Sequence, residues 1–141
     1  MINAKVDVTN IMLETDRLIL RPWKKEDLED FYEYAKVDGV GQILSISINE
    51  NYANQVGREI GYVLSKAYWG KGLMPEAVKR VIIYCFEEEH YDYLICSHPV
   101  LNYQSKRVIE KCGFRFIKEK ARTAINGTEH ISLYYVLDNL V

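Results

Sequence analysis

A single α/β or α+β domain built on a mixed sheet is the fold class this sequence predicts, and three observations predict it. Residues 43–48 alternate apolar residues with serine, and residues 56–64 form a second β-prone run beyond a polar interval, which together make a hairpin. That second run passes through a glycine-containing turn directly into an amphipathic helix. A short β-prone run, another helix and two closing strands then follow in turn. At 141 residues the chain is one domain, residues 1–141, with enough length for a single core.

Taken in order, residues 4–8 have a strand-like alternation, in a terminus that could equally be frayed. Residues 17–21 alternate weakly and read as a strand ended by Pro22. From 24 to 36, Leu28, Phe31, Tyr32 and Ala35 recur at helical spacing, with Glu26 and Asp27 favouring the positive end of the dipole. Residues 49–55 are polar turn material between the two strands of the hairpin. The helix after the glycine turn should bury Val78, Val81, Ile82 and Cys85 and turn Lys79, Arg80, Glu87 and Glu88 to water. Residues 93–96 read as a short strand, and the next helix spans about 102–111 with Gly113 as its stop. Residues 114–118 and 131–137 are the closing strands. Asn126-Gly127 marks their connection, although the long interval argues against a two-residue hairpin.

Global numbers exclude several classes. A net charge of −2 gives no footprint for nucleic acid or for an anionic membrane surface. The three cysteines, Cys85, Cys96 and Cys112, lack Cys-x-x-Cys spacing and their odd number cannot pair fully within one chain. Buried free thiols in a reducing cytoplasm are the expectation. The sequence shows no signal peptide and no apolar run long enough to span a bilayer, so a soluble cytoplasmic protein is expected. His98 and His130 have no ligand spacing with Cys96 or Cys112, so no metal is expected.

The most informative stretch is Glu59-Ile-Gly-Tyr-Val-Leu-Ser-Lys-Ala-Tyr-Trp-Gly-Lys-Gly-Leu-Met-Pro-Glu-Ala77. The start of a helix carries unpaired N–H groups and the positive end of its dipole, and Gly70 and Gly72 have no side chains to hold a ligand away from them. A phosphate or pyrophosphate cradle fits this pattern; so does an ordinary strand-to-helix turn. Pro75 suits the first helical turn, where a missing N–H costs nothing. The turn lacks the third glycine of a dinucleotide fingerprint, and Leu73 after Gly72 excludes the ending of a P-loop.

The Trp69-Gly-Lys-Gly72-Leu-Met74 wording resembles the pyrophosphate loop of the GNAT superfamily of N-acetyltransferases, on the RimJ/RimL-like branch that acetylates N-termini of ribosomal proteins. Three further segments are similar to that family in its own order. Leu13-Glu-Thr-Asp-Arg-Leu-Ile-Leu-Arg-Pro-Trp23 resembles its opening strand, and Arg58-Glu-Ile-Gly-Tyr-Val-Leu64 its fourth strand. Asn102-Tyr-Gln-Ser105 through Glu110-Lys-Cys-Gly-Phe114 resembles the helix and Gly-Phe exit of its C-terminal half. The resemblance implies a mixed, mostly antiparallel sheet flanked by helices, and acetyl-CoA as cosubstrate with no metal. Only residues 37–41 separate the first helix from the strand at Ile43, so one helix and one strand of the usual fold are expected to be missing. Residues 1–11 precede the family's usual start and could fill the vacant sheet position, in their own subunit or in a partner's within a homodimer.

Acetyl transfer from a thioester to an amine needs the cofactor held, its carbonyl oxygen polarised, and protons moved off the amine and onto the sulfur. By resemblance, cofactor binding falls to Trp69, Gly70, Lys71, Gly72, Leu73 and Met74 of the loop, and to the main chain of Val63, Leu64 and Ser65. Glu59, just before the apolar Ile60-Gly-Tyr-Val run, is the candidate base; a surface glutamate paired with Arg58 or a neighbour would look the same. The tyrosine that many family members carry seven residues after the equivalent of Asn102 is Ile109 here. RimL-like proteins present a serine at the position matching Ser105, so the resemblance implies Ser105 beside the thiol with Asn102 orienting the cofactor. Helix capping would also call for that asparagine, and a small helix-face residue for that serine. The resulting expectation is direct acetyl transfer to a primary amine, a protein N-terminus or a small amine, in a ternary complex. Its rivals are a non-catalytic, CoA-binding or dimerising remnant of the family, and a nucleotide-phosphate binder using the same loop.

Overall fold

The computed structural model describes residues 11–21, 43–49, 56–63, 69–123 and 125–140. The expected helix over 24–36, the alternation at 4–8, the shortened junction at 37–41, and with it the missing helix and strand, lie outside the described residues, as do Leu64 and Ser65.

The chain first forms β1 (Leu13–Glu14) and β2 (Ile19–Leu20), an antiparallel two-stranded ladder apart from the main sheet. The strand expected over 17–21 is shorter because a turn begins at Thr15. The Thr15 N–H donates to the Leu18 carbonyl at 2.9 Å, and Thr15 Oγ1 accepts from the Leu18 N–H at 3.0 Å. Thr15 thus offers the backbone a local alternative to the ladder.

Main-sheet strands β3 (Ile43–Asn49) and β4 (Gly57–Val63) form the predicted hairpin, paired from Ile43↔Val63 to Asn49↔Gly57. Helix α1 (Leu73–Ile83) follows and loosens into a π-helical turn at Tyr84–Glu88. After it come β5 (Tyr93–Pro99), α2 (Tyr103–Lys111), β6 (Arg115–Thr123) and β7 (Glu129–Asp138). The sheet order is β3-β4-β5-β7-β6; β4 and β5 run parallel and every other neighbouring pair is antiparallel. A mixed, mostly antiparallel sheet flanked by helices is therefore what the chain builds.

One sheet face packs under both helices. Met74, Ala77, Val78 and Val81 of α1 and Val108 and Ile109 of α2 meet Ile60, Leu94, Cys96 and Tyr135 in a single cluster. Val78, Val81 and Cys85 are buried as the helical period predicts, with Ile82 half-buried beside them. Arg80, expected in water, is half-buried and donates through Nε to the Glu14 carbonyl at 3.2 Å. The opposite face carries a smaller cluster of Tyr93, Ile95, Tyr134 and Val136. At its edge the Tyr93 ring lies against Gly57 so closely that a Cβ there would meet ring carbon at 1.9 Å. Arg58 points the other way and is buried, its guanidinium 4.3 Å from the centre of the Tyr91 ring.

Three strands run further than their apolar patterns. β5 continues through Ser97 and His98 to Pro99. His98 is fully buried, with Nδ1 2.7 Å from the Pro99 carbonyl and Nε2 2.9 Å from the Tyr135 hydroxyl. A carbonyl only accepts, so Nδ1 carries the proton and Tyr135 donates to Nε2. β6 and β7 extend to Thr123 and Glu129, which makes their connection short, with Gly127 at φ 83°. The four charged residues among 118–122 hide this extension from a hydrophobic pattern, yet charge is what an edge strand carries. All three cysteines are buried and free.

Candidate functional site

The turn into α1 is built from left-handed glycines. Gly70 lies at φ 78° and Gly72 at φ 71°, a region that side chains with a Cβ rarely occupy. Gly72 caps α1 without a side-chain bond, so the N–H groups of Leu73 and Met74 have no acceptor within the helix. Pro75, inside the first turn, has no N–H to satisfy.

The β1–β2 turn staples this loop to the helix. Arg17 donates through Nη1 to the Lys71 carbonyl at 2.9 Å and through Nε to Glu76 Oε1 at 2.8 Å. Thr15 Oγ1 donates to Glu76 Oε2 at 2.5 Å, and the Arg17 N–H reaches the same oxygen at 3.3 Å. The Thr15 hydrogen bond, followed by that of Arg17, holds the Glu76 carboxyl below the usual carboxylate range. On the other side, the Cys112 thiol reaches towards the Pro75 carbonyl at 3.8 Å. Burial pushes that thiol up to about 11, so it stays protonated at neutral pH and serves packing.

Beside the loop lies a cavity of about 120 Å³. Trp69, Gly70 and residues 72–75 form one wall, and Gln104, Arg107, Val108 and Lys111 of α2 form the other. Two cations thus face the helix start that the sequence singled out. Sequence reading missed both; the signal was there in the 104, 107, 108, 111 spacing, which lies on one face of a helix.

At the far end of the loop, β4 and β5 part. Their parallel ladder holds only from Gly57↔Tyr93 to Glu59↔Ile95, although β4 runs on to Val63 and β5 to Pro99. Side chains on the two faces of the sheet meet this opening. Glu59 is half-buried on the face of Tyr93 and Ile95, where Ser97 Oγ donates to its Oε1 at 3.4 Å. Tyr62 lies on the helix-covered face, and its hydroxyl is 2.9 Å from the Ser105 carbonyl and 2.8 Å from Ser105 Oγ.

The structure does not gather all the predicted residues into one cluster. Glu59 and Ser105 belong to opposite faces of the sheet, on either side of the strand parting. Asn102 is the N-cap of α2, its Oδ1 accepting from the Ser105 N–H at 3.1 Å, so the capping alternative describes what this side chain does here. Val63 ends β4. Trp69, Gly70, Gly72, Leu73 and Met74 line the cavity, while Lys71 meets Arg17 through its carbonyl. Tyr62 is a further residue that the sequence reading passed over, because a tyrosine inside a strand looks like core. Among the described residues no group of His, Cys, Asp and Glu forms a metal-holding cluster, and no helix is long and apolar enough to cross a membrane.

Comparison with known proteins meets the same segments. Residues 36–115 match the family model described as an acetyltransferase (GNAT) domain. The chain is 31% identical over 130 residues to a Bacillus subtilis protein named "Putative ribosomal N-acetyltransferase YdaF", covering 84% of this chain and 66% of that protein. The chain thus spans about two thirds of that relative, and less of two others from the same organism, at 30% and 41%. A GNAT-family acetyltransferase structure from Bacillus anthracis superimposes with a TM-score of 0.77 at 20% identity, covering 92% of this chain and 99% of that one. The ribosomal-protein-S5-alanine acetyltransferase of Vibrio fischeri superimposes with a TM-score of 0.62 at 26% identity, covering 69% of this chain and 53% of that one. With the glycine turn, the parted strands and the sheet order all in place, the chain belongs to the GNAT acetyltransferase family, on its RimJ/RimL-like branch.

Proposed function

We propose that this protein binds acetyl-CoA and transfers the acetyl group directly to a primary amine in a ternary complex. The observation that carries this reading is that the chain has both a glycine-opened start of α1 and a β4–β5 ladder that ends at Glu59↔Ile95. In this reading the first holds a pyrophosphate, and the second, where the pairing of β4 with β5 stops, takes the pantetheine arm.

In this reading the amides of residues 70–74 hold the pyrophosphate, because the helix dipole and open N–H groups favour an anion there. Lys71, Arg107 and Lys111 add positive charge around it. Val63, Leu64 and Ser65 bind the arm through their main chain. When bound, the cofactor supplies an activated acetyl thioester. Glu59 takes the proton of the acceptor amine from one face of the sheet, and Ser105 hydrogen-bonds the leaving sulfur from the other. Asn102 fixes the first turn of α2 and so the direction of Ser105.

The acceptor is a protein N-terminus or a small amine; the name of the Bacillus subtilis relative makes ribosomal-protein N-termini the first substrates to try. Calorimetric titration with acetyl-CoA, alongside Gly72→Glu, tests the cofactor half. Saturable binding abolished by that substitution is expected, and absence of binding to the unaltered protein overturns the proposal. A panel of N-terminal peptides and small amines then tests turnover by CoA release. Tight binding without release of CoA in any case would favour a non-catalytic CoA-binding protein.

A further inference from the structure

The hydroxyl of Tyr62 makes two contacts to one residue, and elementary hydrogen-bond chemistry orders them. The Ser105 carbonyl can only accept, so at 2.9 Å it takes the single phenolic hydrogen of Tyr62. The 2.8 Å contact between the two hydroxyls must then run the other way, with Ser105 Oγ donating to Tyr62. In this arrangement the serine hydrogen points at the phenol. The phenol has one alternative acceptor of nearly equal distance, Ser105 Oγ itself, and turning to it would release the serine hydrogen.

We propose that Tyr62 is a positioning residue whose hydroxyl turns from the Ser105 carbonyl to Ser105 Oγ, freeing the Ser105 hydrogen to bind the cofactor sulfur. This rests on the reading that places Ser105 beside that sulfur. No proton leaves either residue and no bond is made or broken by them. The acceptor nitrogen bonds the acetyl carbon and loses its proton to Glu59. As the carbon–sulfur bond breaks with its electron pair left on sulfur, Ser105 donates a hydrogen bond to that sulfur and accepts one from Tyr62. Two hydroxyls in series polarise each other and donate more strongly than one.

The surroundings suit a donor that stays protonated. Burial pushes the Tyr62 phenol well above its usual range, and the ionisable groups facing it are Cys96 of β5, Cys112 at the end of α2 and Tyr135 of β7. Burial pushes the Cys96 and Cys112 thiols up as well, and Tyr135 is likewise raised, so none of the three offers a competing charge at neutral pH. The carbonyl that Tyr62 gives up stays within an α-helix, where the N–H four residues on is its regular partner.

The test reads the ionisation of the CoA thiol bound to the protein, followed by thiolate absorbance against pH in the binary complex with free CoA. No acceptor amine is required. Ser105→Ala and Tyr62→Phe are each expected to raise the midpoint by about one pH unit, a ten-fold change in the ionisation constant. The double variant should rise no further than Ser105→Ala alone, because Tyr62 acts only through Ser105. Site-specific fluorination of the Tyr62 ring, which makes the phenol a stronger donor without removing it, should lower the midpoint and covers the case in which Tyr62→Phe folds poorly. If Ser105→Ala moves the midpoint and both changes at Tyr62 leave it in place, the proposal is overturned while Ser105 keeps its position. If neither residue moves it, the placement of Ser105 falls and the proposal with it.

Discussion

Arg17 Nη1 donates a 2.9 Å hydrogen bond to the carbonyl of Lys71, joining the β1–β2 turn to the middle of the glycine loop. The same guanidinium grips Glu76 in the first turn of α1, so one side chain fixes the loop relative to the helix that it opens. An exposed ion pair of this kind contributes little to stability. Its larger consequence is for the direction of the loop amides. Arg17→Gln should therefore leave the urea midpoint nearly unchanged and weaken acetyl-CoA binding about ten-fold in calorimetry. Equal losses in both measurements would reduce Arg17 to a fold contact.

Glu76 makes the staple pH-dependent, with a definite sign. Its carboxyl is held below the usual range in the folded protein, so it binds fewer protons there than when unfolded in the acidic region. The stabilisation is present above the ordinary carboxylate pKa and is lost as pH falls through the lower, folded one. Urea unfolding of Glu76→Gln should show a shallower loss of stability on acidification than the unaltered protein. A parallel pair of curves would show that the shift has no thermodynamic weight.

Arg107 and Lys111 face the helix start across the cavity. Charge reversal at either, Arg107→Glu or Lys111→Glu, should weaken acetyl-CoA about ten-fold or more at low salt, where screening is least. The deficit should shrink as salt is raised, while dephospho-CoA and CoA report which phosphate each cation meets. Unchanged affinity would place the polyphosphate elsewhere.

Glu59 is expected to matter for turnover and little for cofactor affinity, since it sits on the sheet face away from α1 and α2. Once an acceptor is in hand, Glu59→Gln should lower kcat by at least about 100-fold, the lower end of what a positioned base contributes. Calorimetry with acetyl-CoA should be unmoved. A kcat within two-fold of the original would return Glu59 to its Ser97 hydrogen bond and nothing more.

Gly57 is a packing position. A Cβ there would overlap the Tyr93 ring, which is itself fully buried and has nowhere to retreat. Gly57→Ala should destabilise by about 1–3 kcal/mol, the usual range for overpacking. Chemical denaturation measures it, and pairing the change with Tyr93→Leu should recover part of the loss.

The sequence by itself determined the order of the elements from β3 to β7 and the loop. Period-two alternation at 43–48, helical spacing after Gly72 and the Asn102-to-Gly113 punctuation are local signals, set by neighbours a few residues apart. The helix bounds and the hairpin agree with them to within a residue or two. Extensions of β5 and β6 escaped because Ser97, His98 and the charge-rich stretch 118–122 are held by ladder partners in β7, not by their own hydropathy. Only the tertiary structure could bring Arg17 to Lys71, Arg107 and Lys111 to the glycine turn, and the Tyr62 phenol to Ser105. It also decided that Asn102 caps a helix and that β4 and β5 separate after Glu59. Except for the Asn102 cap, which spans only three residues, each of these joins residues far apart in the chain, and contacts of that range are fixed by how the helices pack on the sheet, which no local pattern encodes.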